Sequence, residues 1–280
     1  MSLTEKKIKE LRKKANDIRI SIIEMLRDAK SGHTAGPLGM ADVFTLFYFH
    51  ILKHDPKNPA WEERDRVVLS NGHICPVLYA TMAHAGYFST SELSTLRKFG
   101  SRLQGHPHRE YLSFVETSSG PLGSGISQAV GMALADKIDK KDGGRFIYCF
   151  ISDGELDEGN TWEAIMLAGK KKLKNLIVIL DRNNIQIEGF TEDVMPLEPL
   201  HSKWKAFNWN VIESSGHDFN ALNESMEEAR GSGGGPTVVI AHTIPGKGVK
   251  EFEGDYKWHG KAPNKEEAEK AIAELSLNRF

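Results

Sequence analysis

Asp153, Gly154, Asn183 and Asn184 place hard oxygen donors at the ends of two apolar runs. Residues 146–152 form a short apolar stretch that stops at Asp153-Gly154, which reads as a buried strand delivering a carboxylate at its C-terminal end. Residues 176–180 repeat the pattern and stop at Asp181-Arg182-Asn183-Asn184. Between the two, Glu163, Ala164, Ile165, Leu167 and Ala168 are good helix formers, with Asn160 or Thr161 as the cap and the lysines of 170–174 at the negative end of the helix dipole. A strand–helix–strand crossover makes the strands parallel neighbours. Both tips then reach the sheet edge at which open α/β folds bind ligands. One carboxylate, an amide oxygen and the carbonyls of the Asn184-Ile185 turn suit Mg²⁺ or Ca²⁺ better than zinc. A Mg²⁺ held by so few protein groups completes its shell with phosphate oxygens and water. Gly154 would let backbone approach that phosphate. Ordinary strand-end turns are also built from Asp, Asn and Gly, so spacing alone leaves both readings open.

A second set of chemically capable residues lies in irregular, glycine-containing stretches: Ser31-Gly32-His33, Ser70-Asn71-Gly72-His73, Gly105-His106-Pro107-His108 and His259-Gly260. Histidine is the usual residue for proton transfer near neutral pH, although an isolated loop histidine is ordinarily structural or solvated. Gly120-Pro121-Leu122-Gly123-Ser124-Gly125 runs into an expected helix over 126–138 and would expose backbone N–H groups to an anion or a ring. A plain tight loop would read the same way.

The elements that must position these groups follow from periodicity. A helix is expected over 3–29, with Ile8, Leu11, Ala15, Ile18, Ile22 and Met25 or Leu26 on one face. Residues 36–53 become helical at about Met40 and bury Phe44, Phe47, Tyr48 and Ile51, with His50 and His54 as ordinary histidines. Strands are expected over 66–69, 209–214 and 237–241, and helices over 75–85 and 220–230. A loop-rich segment, 242–263, precedes a terminal helix over 264–275, and SGGGP at 232–236 reads as a flexible connection. The fold class is therefore α/β, a parallel central sheet with helices on both faces, as one domain over 1–280. A net charge of -2 gives no electrostatic case for nucleic acid or a membrane. Cys75 and Cys149 fit no metal spacing, and no signal core or membrane-length run is present, so a reduced, cytoplasmic protein is expected. No GxGxxG turn follows an early strand, which argues against a nicotinamide enzyme.

Asp153-Gly154, Glu158-Gly159 and Asn183 resemble the signature of enzymes that bind thiamine diphosphate through a divalent cation. The resemblance implies that Asp153, Asn183 and the Ile185 carbonyl hold Mg²⁺, with Ca²⁺ or Mn²⁺ as substitutes. Ser152 stands where that motif usually has glycine. Taken in order, the histidine and glycine motifs are similar to the N-terminal half of transketolase, from about residue 15 to residue 263. The activity so implied moves a two-carbon ketol unit from a ketose phosphate to an aldose phosphate. His33 and His106 would contact sugar hydroxyls and the carbonyl. His73 and His259 would lie near the diphosphate and the reacting carbon, His259 also moving a proton. Gly120 would offer backbone to the aminopyrimidine, Leu122 would pack on the cofactor rings, Gly154 would border the diphosphate, and Glu158 would sit behind the cofactor or at a domain interface. Thr34 and His108 depart from the usual pattern at the sugar end.

The chain ends at Phe280, where a full-length transketolase would continue into its pyrimidine-binding domain. The resemblance thus implies the N-terminal subunit of a split transketolase. Its partner would be a C-terminal subunit supplying the pyrimidine-binding domain, an activating glutamate and most sugar-phosphate contacts, in a heterotetramer of two chain pairs. The competing readings are a subunit of a related enzyme with another sugar, such as a deoxyxylulose-phosphate synthase, and a non-catalytic cofactor-binding assembly protein.

Overall fold

The computed structural model describes residues 2–140 and 143–277, so the expected domain limits, 1 and 280, lie outside the described residues. Helix α1 (Glu5–Ala29) leads, followed by α2 (Ala35–Gly39), α3 (Ala41–Leu46), a π turn over Phe47–Ile51, strand β1 (Arg66–Leu69) and α4 (Cys75–His84). After an irregular stretch come α5 (Ser124–Ile138), β2 (Ile147–Ser152), α6 (Gly159–Lys171) and β3 (Leu176–Arg182). A hairpin of β4 (Ile185–Gln186) and β5 (Gly189–Phe190) precedes α7 (Thr191–Val194) and α8 (Leu200–Ala206). The order closes with β6 (Asn210–Ser215), α9 (Phe219–Gly231), β7 (Thr237–His242) and α10 (Lys265–Leu277).

Five strands form one sheet in the order β1-β2-β3-β7-β6, and every neighbouring pair is parallel. All residues of β2 and β3 are buried, as strands covered on both faces require. Alternation divides them between two apolar layers. Tyr148, Phe150, Ile177 and Ile179 join α1, α3, α4 and α9 on one face, while Cys149, Ile151, Val178 and Leu180 join α5, α6 and α8 on the other. Phe44 stacks on Phe150 with ring centroids 4.5 Å apart, and Phe47 meets Tyr148 edge-on at 5.2 Å. The α/β class with helices on both faces is what the sequence predicts.

Helix α1 starts at Glu5 because the Thr4 hydroxyl accepts the Lys7 N–H, and it stops where Lys30 turns left-handed, with φ 53°. That stop sets the chain into Ser31-Gly32-His33. Three local expectations need correction. The helical segment expected from Met40 starts at Ala35, because Pro37 fits a first turn whose N–H groups lack partners anyway. Strand β3 extends past Leu180 to Arg182, pairing Asp181 with Ala241 and Arg182 with His242. The chain admits Asp181 there because the Thr243 hydroxyl and the Asn183 amide donate to its carboxylate. Neither Asn160 nor Thr161 caps α6, whose N-cap is Glu158 without a side-chain bond. The preceding turn, Gly154–Asp157, offers Thr161 the carbonyl of Glu155, and Asn160 donates to Leu122 instead. The β4–β5 hairpin was unforeseen, its strands being two residues each. Beyond β7 the chain turns through a 3₁₀ segment, Tyr256–Trp258, before α10, where Asn264 and Glu267 cap each other reciprocally.

Two glycine positions give opposite expectations. A Cβ on Gly169 would lie 1.9 Å from the carbonyl oxygen of Phe207, so Gly169→Ala must separate α6 from the segment that follows α8. Gly131 sits inside α5 with open space around it. In urea unfolding, Gly169→Ala should lose about 1–3 kcal/mol, and Gly131→Ala should gain about 0.5–1 kcal/mol. Equal midpoints for the two variants would contradict this packing.

Candidate active site

The C-terminal ends of β1 and β2 and the turn after β3 open on a cavity of about 360 Å³. His33, His73, His106 and His259 all line it, together with Gly120 and Leu122, Ser152 and Gly154, and the turn Ile185, Gln186, Ile187 and Glu188. Each histidine arrives by its own route. His33 follows the stop of α1, His73 lies in the 3₁₀ turn Gly72–Ile74 behind β1, and His259 ends the Tyr256–Trp258 turn. His106 comes from the irregular stretch before α5, where a Cβ on Gly120 would sit 3.8 Å from its ring. Thr34 joins two of these routes, its hydroxyl donating to the Lys261 carbonyl at 2.5 Å. A proline at position 34 would lack that hydroxyl. His108 instead lies against Tyr111, with ring centroids 4.7 Å apart, and does not line the cavity.

Three imidazoles form a triangle: His33 to His73 4.8 Å, His73 to His259 5.4 Å and His33 to His259 5.5 Å between centroids. Burial, reinforced by the neighbouring His259, Arg97 and His106, pushes His33 down to about 4. Burial also takes His259 down to about 4 and His73 well below the ordinary histidine value. His106 is lowered by burial and then by Arg97. All four are thus neutral near pH 7, each offering one N–H donor and one acceptor nitrogen. Such a set has the donors and acceptors to pair with hydroxyls and a carbonyl, and the open nitrogens to pass a proton between them.

At the strand tips, Asp153 is fully buried. One carboxylate oxygen accepts the Gly154 N–H at 2.9 Å; the other accepts the Asn184 N–H at 2.7 Å and the Arg182 guanidinium at 3.2 Å. The Asn184 bond draws the β2 and β3 tips together. Burial pushes Asp153 up to about 6, opposed by the Asn184 N–H, Arg182 and the Gly154 N–H. Asn183 donates its amide to Asp181 at 2.8 Å, which fixes its oxygen on the side of the Ile185 N–H, 3.0 Å away. Among the described residues no three or more His, Cys, Asp or Glu gather as metal ligands. The expected ligands are of another kind: one carboxylate, one amide oxygen and one backbone carbonyl.

Whether the cavity fits a polar cofactor can be judged from its bare polar atoms. His33 Nδ1, His259 Nδ1 and Gln186 Nε2 are buried without a hydrogen-bond partner, as are both ends of the Asn71 amide and the Ser119 hydroxyl. Each such group costs about 1–3 kcal/mol if left unpaired. Their position at or beside one cavity fits a ligand rich in donors and acceptors. The donor types of Asp153, Asn183 and the Ile185 carbonyl suit a hard divalent cation.

Glu158 is exposed at the start of α6 and does not line the cavity. The buried acid of that segment is Glu155, which the sequence did not single out. Burial pushes Glu155 up to about 7 against the bonds it accepts from Ser70, Gly123 and Ser152. Asp181 and Gln186 were also missed. In an acidic run such as Gly154-Glu155-Leu156-Asp157-Glu158, nothing local marks which carboxylate turns inward.

The neutral histidines make a testable demand on stability. In the unfolded chain they titrate near 6.5, and in the folded chain His33 and His259 titrate near 4. Between those values the unfolded chain binds more protons, so this contribution is full above pH 6.5 and is lost as pH falls towards 4. The double variant His33→Gln/His259→Gln should lose less stability than the parent between pH 7 and pH 4.5 in urea midpoints. Parallel curves would contradict the burial of neutral rings.

Known proteins share both this sequence and this fold. Residues 11–279 match the family described as transketolase, thiamine diphosphate binding domain. A 6-deoxy-6-sulfo-D-fructose transketolase subunit of a Clostridium species is 41% identical over 266 residues, covering 95% of this chain and 96% of that one. One of the subunits of the apulose-4-phosphate transketolase of Phocaeicola vulgatus is 40% identical, covering 92% of this chain and 91% of its own. The transketolase of Campylobacter jejuni has a crystal structure that superposes with a TM-score of 0.90 at 37% identity, over 100% of this chain and 44% of that one. The chain therefore spans nearly the whole of the subunit relatives and less than half of the longer transketolases. By sequence and by fold, this chain belongs to the transketolase family, matching its thiamine diphosphate binding domain.

Proposed function

We propose that the chain is the diphosphate-binding subunit of a two-chain transketolase, which moves a two-carbon ketol unit from a ketose with an anionic terminus to an aldose phosphate. The observation that carries this reading is the meeting of four neutral histidines, Gly154 and the Ile185–Glu188 turn at one edge of a parallel sheet. Asp153, Asn183 and the Ile185 carbonyl would hold Mg²⁺ against the diphosphate, with the backbone at Gly154 close to it. Thiamine diphosphate, when bound, supplies the nucleophilic carbon and the electron sink for breaking and making the carbon–carbon bond.

The residues of this chain then orient sugar and protons. His33 and His106 offer neutral N–H donors to the ketose carbonyl and hydroxyls. His73 and His259 stand on the cofactor side, where an imidazole with an open ring nitrogen can take a hydroxyl proton and return it. Leu122 and Gly120 form the wall on which the cofactor rings would lie. Relatives of this chain's own length are named as subunits, which supports a separate partner; that partner would carry the pyrimidine-binding domain, in an assembly of two chain pairs. Two of those relatives are named for a sulfonated and a phosphorylated ketose, which supports an anionic terminus as the common substrate feature.

Titration with a C-terminal partner subunit tests the reading. The purified chain alone should give negligible ketol transfer to ribose 5-phosphate, with activity rising to saturation near one partner per chain. Full activity without a partner would refute the two-chain assignment. In the assembled enzyme, Asp153→Ala should weaken thiamine diphosphate binding by about a hundredfold or more in calorimetry with Mg²⁺. Unchanged affinity would remove Asp153 from the metal site.

A further inference from the structure

Glu155 is wholly buried, and no arginine or lysine pairs with it among the described residues. One carboxylate oxygen, Oε1, accepts both the Ser70 hydroxyl and the Gly123 N–H, the latter at 2.6 Å. The other, Oε2, faces the Ser152 N–H at 3.4 Å. Ser70 passes the link on, because its hydroxyl oxygen accepts the Ile126 N–H at 3.0 Å in the first turn of α5. A single side chain therefore ties together the end of β1, which leads to His73, the glycine-rich loop that carries Gly120 and Leu122, and the end of β2, which carries Asp153.

Burying a carboxylate without a cation is costly, and an apolar residue would pack this space at less expense. What the acid provides is a strong acceptor under a loop whose internal bonds, from the Ser124 N–H and hydroxyl to the Pro121 carbonyl, do not fasten it to β1 or β2. Gly120, Pro121 and Gly123 keep that loop out of regular structure, and Gly123 is left-handed with φ 77°. The contacts around it leave little room: a Cβ on Gly123 would lie 2.1 Å from Asn160, and one on Gly125 2.4 Å from Ser70 Cα. Asn160 donates to the Leu122 carbonyl at 3.2 Å and supports the same loop from its other side. Both supports come from the segment that follows the β2 tip, so the loop's position is referred to the same backbone that presents Asp153.

We infer that Glu155 is a positioning residue. It fixes the Gly120–Gly125 loop and the Ser70–His73 loop relative to the β2 tip, and so sets the cavity wall formed by Gly120 and Leu122. The inference rests on the reading of this cavity as the cofactor site, but its first test does not need the cofactor. Amide hydrogen exchange on the full chain should show faster exchange at Gly123 and Ile126 in Glu155→Ala. Glu155→Gln keeps a carbonyl oxygen able to accept both bonds now made to Oε1, and should restore the slow exchange. In the enzyme assembled with its partner and Mg²⁺, Glu155→Ala should raise the dissociation constant for thiamine diphosphate about ten- to a hundredfold, the scale of a lost charged hydrogen bond. Glu155→Gln should stay within about threefold. Should Glu155→Ala fail to fold, Ser70→Ala removes the shared hydroxyl and should speed exchange at Ile126 while leaving a smaller affinity loss. Unchanged exchange in Glu155→Ala, or in Ser70→Ala in its place, would overturn the inference. So would a Gln variant as damaged as the Ala variant. If the parent enzyme with its partner bound no thiamine diphosphate, the functional reading would fall, and the exchange data would still decide the role of Glu155.

Discussion

Everything at the site depends on β2 lying parallel between β1 and β3. Leu69 pairs with Phe150 and Ser152 with Asp181, so Ser70, Asp153 and Asn183 leave the sheet at a common edge. Adjacent strands run about 5 Å apart, which puts the two outer tips roughly 10 Å from each other. A slip of one residue would turn each side chain to the opposite face and carry Asp153 away from the Asn184 N–H. The register is set far from the chemistry. Tyr148 and Phe150 interlock with Phe44 and Phe47 on one face, while Cys149 and Ile151 belong to the other apolar layer. The layers hold the register and the site inherits it.

That support allows an unusual density of desolvated polar groups. Asn71, Asp153, Glu155 and Asp181 are all essentially without solvent contact. Each carboxylate is satisfied differently: Asp153 by two backbone N–H groups and Arg182, Asp181 by Thr243 and Asn183, and Glu155 by Ser70 and Gly123. Of the three, Asp153 has a cation, and it is the least raised, at about 6 against about 7 for the other two. Asp153 is the carboxylate at which a guanidinium opposes the effect of burial. Asp181 and Glu155 act on the site through the hydrogen bonds they accept.

The sequence revealed what depends on local pattern. The helical stripe of α1, the apolar runs of β1, β2 and β7 and the glycine-containing histidine stretches all follow from neighbours a few positions apart. Tertiary partners decided the rest. Asp181 lies inside β3 because Thr243, on the strand connection beyond β7, donates to it. Asn160 and Thr161 left the helix cap for carbonyls that only the folded turn presents. Among neighbouring acids, Glu155 turned inward and Glu158 outward, a choice made by the 3₁₀ turn Gly154–Asp157 rather than by composition. His106 and His108 show the same limit, since one lines the cavity and the other packs on Tyr111.

The occurrence of this domain at two chain lengths among its relatives has a physical basis. Its two apolar layers close around its own sheet, so the core gains nothing that a second domain must supply. A domain with that property can be encoded alone or fused without changing its interior. The cavity has no such closure. Ile187, part of its lining, is 62% exposed, and Phe190, at the end of β5, stands 45% exposed. Apolar surface beside a polar, unsatisfied cavity calls for a cover that excludes water. Folding is thus complete within this chain, whereas dehydration of its site requires another surface, and these separate demands match a division of the enzyme into two polypeptides.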